Sequence, residues 1–130
     1  MLKNVKLVNW LPALFWALLI FFQSNNSNPA GADLAPDYVL HFLAFGVLAL
    51  AILYGFAGGL RALWMGIIGW DHAAFSALLA TLYGFSDEGH QYFIPGRNSS
   101  WADIAADFLG ALVFMGLMII WKNARTIKQG

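Results

Sequence analysis

Seven side chains could do chemistry together: His41, Asp87, Glu88, Gln91, Arg97, Asp103 and Asp107. Asp87 and Gln91 stand four residues apart, as do Asp103 and Asp107, so each pair shares one stripe if its segment is helical. Carboxylates gathered in one cleft cannot all carry charge without a cation beside them. Arg97, His41, a metal or a shared proton would supply that balance. Asp87, Glu88 and Asp107 are the candidates for catalytic acid–base work, and the whole set is a candidate ligand-binding cleft. The five-donor fork of Arg97 suits a phosphate or a carboxylate. An oxygen-rich set with one or two histidines would favour a hard or borderline divalent cation over a soft one. No local ligand pair such as H-E-x-x-H is present and His41 is remote in sequence, so no metal residue and no cofactor is assigned.

The elements that must position these residues follow from composition. Of 130 residues, 60% are hydrophobic, 16% aromatic and only 11% charged, whereas a soluble domain carries about 25% charged residues. One domain of 14.3 kDa cannot hide so many apolar side chains in its own core, and lipid is the solvent that resolves this. Seven Lys+Arg against seven Asp+Glu, with no basic run, disfavour disorder and nucleic-acid binding. There is no cysteine, hence no disulfide, thiolate zinc site or cysteine nucleophile.

Four apolar stretches approach the about 20 residues that a spanning helix needs: roughly 5–23, 37–57, 70–93 and 101–121. Pro12 falls early enough to kink only the first turns of the first. Asp37 after Pro36 reads as an N-cap, and Ser100-x-x-Asp103 as a helix-start box. Residues 58–69 read as an interfacial elbow with Trp64 and Trp70 at headgroup level, and Ile94 to Ser99 as a tight turn. Lys3, Lys6, Arg61, Lys122, Arg125 and Lys128 then fall on one face and Arg97 alone on the other. The expectation is an all-α, polytopic four-transmembrane-helix bundle, a single domain over 1–130, with both termini cytoplasmic. Lys3, Lys6, the run to Phe22 and Ala30-Gly31-Ala32 also fit a cleavable signal, but Ala32 lies far beyond Phe22 and the run is long and aromatic.

In that topology the seven residues share one depth at the outer face. An ionisable group inside a span is a functional hypothesis by default, costing about 2.5 kcal/mol or more at the centre. Structural readings stand beside this. Asp37 and Ser100 serve as caps, Asp103 as a helix-start carboxylate, His41 as a packing histidine, and Glu88 and His90 as groups pointing into water. Asp71-His72 lies at the other end and is left out. Asp107, deep among apolar residues, is the hardest to explain without a partner. Small residues at Ala102, Ala106 and Gly110, and at Ala73, Ala77, Thr81, Ala80 and Gly84, would let helices approach closely. If those edges meet, the Asp103/Asp107 stripe faces Asp87/Gln91. A homodimer through the same edges is the alternative use.

The run Asp87-Glu88-Gly89-His90-Gln91-Tyr92-Phe93-Ile94-Pro95-Gly96-Arg97, then Asp103 and Asp107-x-x-Gly110, resembles the VanZ-like family of small bacterial membrane proteins. So does the upstream Asp37-x-x-x-His41-Phe42-x-x-Phe45, and the resemblance covers about Asp37 to Gly116. Two positions depart from the family pattern: Tyr38 stands where Lys is common, and Asp107 where Asn is frequent. Both changes make the cluster more acidic and raise the weight on Arg97, a proton or a metal. The resemblance implies a multi-pass protein of the bacterial cytoplasmic (inner) membrane and a link to teicoplanin tolerance, but no reaction. The favoured reading is a cleft holding an anionic lipid headgroup or cell-envelope precursor, with His41, Asp87, Glu88, Gln91, Arg97, Asp103 and Asp107 as ligand-binding residues. The alternatives are an intramembrane enzyme, metal- or carboxylate-dependent, acting on a lipid-linked substrate, and a proton-coupled carrier or assembly partner built around Asp107.

Overall fold

A computed structural model describes residues 6–65 and 68–129, the side chain of Gln129 excepted. They form α1 (Leu11–Ser24), α2 (Asp37–Ala57), the short α3 (Leu60–Trp64), α4 (Trp70–Gln91) and α5 (Trp101–Gln129), with no strand among the described residues. Lys3 and Val5 lie outside them.

Pro12 sits in the first turn of α1, where its missing N–H costs no helical bond. The turn before it, Leu7–Trp10, is a 3-10 helix, which is the expected early irregularity. Gly58 ends α2 in the left-handed region at φ 85°, and the N–H of Gly59 returns to the Tyr54 carbonyl. The elbow that follows contains α3. Beyond α4, the N–H of Arg97 closes a turn on the Ile94 carbonyl at 3.1 Å, within the stretch Ile94 to Ser99 expected to turn.

Helix α2 is the hub, packed against α1, α4 and α5. Its Phe45, Leu48, Ala49 and Leu53 meet Ala73, Ala77 and Ala80 of α4 and Ala111, Met115 and Ile119 of α5. The small-residue edge of α4 is therefore spent on packing within the chain. Two glycines set the closest approaches: a Cβ at Gly84 would run into the Asp107 side chain, and one at Gly110 into the Phe42 backbone carbonyl. Large apolar side chains such as Phe15, Leu18, Leu82, Leu112 and Leu117 face outward. That is the inverse of a soluble surface and suits contact with hydrocarbon.

Among the described residues, three helical segments are long and apolar enough to cross a membrane: Leu7–Ser24, Asp37–Ala57 and Trp101–Lys128. The fourth expected span, α4, does not reach that apolarity. It has the length, at 22 residues, but Asp71 and His72 at one end and Asp87, Glu88, His90 and Gln91 at the other leave only a short apolar middle. Helix α5 runs past the expected 121 to Gln129 and carries Lys122, Arg125 and Lys128 on its last turns. At that basic end the Arg125 guanidinium lies over the rings of Trp64 (4.3 Å) and Trp121 (4.8 Å), and the Lys122 ammonium donates to the Ile68 carbonyl.

Candidate functional site

At the opposite end, the start of α2, the end of α4 and the start of α5 converge with the α4–α5 turn. Pro36, in an extended conformation, is the N-cap of α2. Asp37 is the first helical residue and makes no capping bond, which corrects its reading as the cap. Its carboxylate instead lies 4.0 Å from Arg97 Nη2. One turn on, His41 points inward among the three helices.

Asp107 Oδ1 accepts from His41 Nδ1 at 2.9 Å, so the deepest carboxylate has the partner that its position demanded. The other ring nitrogen, Nε2, faces Glu88 Oε1 at 3.6 Å, beyond hydrogen-bond reach. Glu88 is only 1% exposed, not turned to water, and its Oε2 accepts the Ser100 backbone N–H at 2.8 Å. The helix-start box is thus shared: Ser100 Oγ accepts the Ala102 N–H as expected, while the Ser100 N–H goes to α4, not to Asp103. Two buried oxygens, Glu88 Oε1 and Asp107 Oδ2, have no hydrogen-bond partner among the described residues.

A second chain of contacts carries the positive charge. Arg97 Nε and Nη2 both donate to Gln91 Oε1, at 3.1 and 2.7 Å. The fully buried Gln91 amide passes its own N–H to Asp87 Oδ2 at 2.9 Å, and it reaches Ser24 Oγ of α1 at 3.4 Å. Neither Arg97 bond uses Nη1. Asp103 belongs to the same cluster, with ligand-type atoms of Asp37, His41 and Asp103 all within 4.8 Å of one another. The same spacing holds for His41, Asp87 and Glu88.

All seven residues singled out from the sequence therefore meet, and the Asp103/Asp107 stripe does face α4, through Gly84. His90 stays outside, its ring 5.0 Å from that of Phe21 and tilted by 31°, with Nε2 3.3 Å from Asn25 Oδ1. Sequence reasoning assigned Asp37 a local role, although its four-residue spacing to His41 was a signal that the two share a face. Ser24 gave no such signal.

A cavity of about 530 Å³ opens beside the cluster. Asp37, His41, Asp87 and Arg97 line its polar end, and Trp16, Leu19, Phe22, Leu43 and Val47 are among its apolar lining. Trp16 Nε1 donates to the Ala44 carbonyl at 2.8 Å, fixing α1 against α2 along this wall. The arrangement can hold an amphiphile, offer a carboxylate–histidine pair for proton transfer, or ligate a cation. A family model described as VanZ/LLP1 matches residues 9–122. No curated protein and no solved structure matches the chain.

Proposed function

The chain belongs to the VanZ-like family, and on that premise we propose that it is a multi-pass protein of the bacterial inner membrane that binds an anionic lipid headgroup or envelope precursor. In this reading α1, α2, α4 and α5 all cross the bilayer, with α4 sheltering its polar ends against its neighbours. Both termini are cytoplasmic, following the Lys and Arg of the opposite end.

The observation that carries the reading is the cavity: an apolar wall ending in Arg97, His41, Asp37 and Asp87. An acyl or isoprenoid chain would lie along Trp16, Leu19 and Val47, and a phosphate would sit against the free edge of Arg97. The guanidinium is already oriented by Gln91, so little side-chain entropy is lost on binding. Teicoplanin tolerance would follow if the bound molecule is one the antibiotic must reach. Teicoplanin susceptibility that is equal in strains expressing wild type and Arg97→Ala would remove that link.

Native mass spectrometry of the chain purified gently from its own membrane is the test. The expected result is a retained lipid or precursor that is lost in Arg97→Ala. A charge-assisted hydrogen bond contributes about 1.5–3 kcal/mol, so retention should fall roughly tenfold to a hundredfold. Equal retention in the two proteins would sink the proposal.

A further inference from the structure

The acidic cluster and the orphaned oxygen of Glu88 bear on each other. Asp107 Oδ1 faces His41 Nδ1 at 2.9 Å; with the ring neutral and Nδ1 donating there, the lone pair of Nε2 points away from α5. That lone pair meets a second acceptor, Glu88 Oε1, at 3.6 Å. Oε1 is buried and has no donor among the described residues, in a side chain 1% exposed. With the ring neutral, two acceptors face one another in a buried site, and a cation between them would satisfy both. Asp87 brings a third ligand-type oxygen within 4.8 Å of both.

From this geometry we infer that His41 Nε2, Glu88 Oε1 and Asp87 hold a divalent transition-metal ion, with Asp107 orienting the imidazole from behind. The separation fits, since two ligands at about 2.0–2.2 Å from one tetrahedral ion stand roughly 3.5 Å apart. One imidazole with carboxylates is a donor set for a Zn2+- or Mn2+-like ion, not a soft one. Carboxylate, histidine and metal in line is the usual way an imidazole ligand is held. His41 and Asp87 also line the cavity, so the ion's remaining position faces it. The neighbouring trio Asp37, His41 and Asp103 is the weaker set, because neither of its carboxylates carries an orphaned buried oxygen. The site stands on these residues alone and does not depend on lipid binding.

The test titrates Co2+, a visible-absorbing probe, into the chelator-stripped full chain in detergent without added lipid. One saturable equivalent is expected, with tetrahedral d–d bands. His41→Ala and Glu88→Gln should each weaken binding at least tenfold, while Asp37→Asn leaves it within about twofold. Absence of saturable binding by the wild type, or loss in Asp37→Asn with Glu88→Gln unaffected, overturns the assignment. If Glu88→Gln does not fold, the wild type still decides. Among its three histidines, Co2+ should shift the imidazole signal of His41. A shift at His72 or His90 instead overturns the site.

Discussion

Gln91 is where the two halves of the cleft are joined. Its amide accepts from Arg97 with one end and donates to Asp87 and Ser24 with the other, so no apolar residue can replace it without orphaning buried groups. Leaving such groups unsatisfied costs about 1–3 kcal/mol, and Gln91→Leu should lower unfolding stability in detergent by that amount. A melting point unchanged by this substitution would mean that Arg97 and Asp87 find water as readily as they find Gln91. Asp107 makes a different prediction. Asp107→Asn keeps an oxygen for His41 Nδ1 but removes the charge behind the ring, so the fold should persist while Co2+ affinity falls about tenfold to a hundredfold. Affinity equal to wild type would remove Asp107 from its orienting role. At this scale the sequence was informative because charge in an apolar span demands a reason. It offered His41 among the groups that could balance the carboxylates but did not pair it with Asp107, since the two lie 66 residues apart and no local motif joins them.

Helices were legible wherever apolar length and a start signal coincided, as at α2 and α5. Two details escaped. The N-cap is Pro36, and Asp37, the first helical residue, sets its carboxylate 4.0 Å from Arg97, a tertiary contact that no capping rule contains. Helix α4 mixes two periodic demands: its small edge packs inward, and its polar end serves the cleft, which lowers its apolarity below that of a lipid-facing span. The close approaches of α4 and α2 to α5 are set by Gly84 and Gly110. Gly84→Ala pushes on a side chain, and Gly110→Ala on the Phe42 backbone. Overpacking of this kind costs about 1–3 kcal/mol, and the Gly110 variant should be the less stable of the two in thermal unfolding. The reverse order would mean that the Asp107 side chain yields less readily than the α2 backbone.

For the whole molecule, charge asymmetry is the strongest sequence signal, with Arg97 at one end and Lys122, Arg125 and Lys128 on the last turns of α5 at the other. On the proposed topology, a cysteine in place of Ser99 should react with an impermeant thiol reagent added outside intact cells, and one in place of Lys128 only after lysis. Labelling of both from outside would overturn the four-crossing arrangement. Composition could not reveal the cavity, because its wall is made jointly by α1 and α2 and exists only once they pack. Leu19, Phe22 and Leu43 belong both to that lining and to the exposed apolar surface of the chain. On the proposed topology the mouth would therefore open sideways, into hydrocarbon, and a lipid would arrive by diffusing within one leaflet. Occupancy would then track mole fraction in the bilayer. Adding buffer to vesicles of fixed composition should change nothing, whereas replacing the anionic lipid with neutral lipid should empty the site.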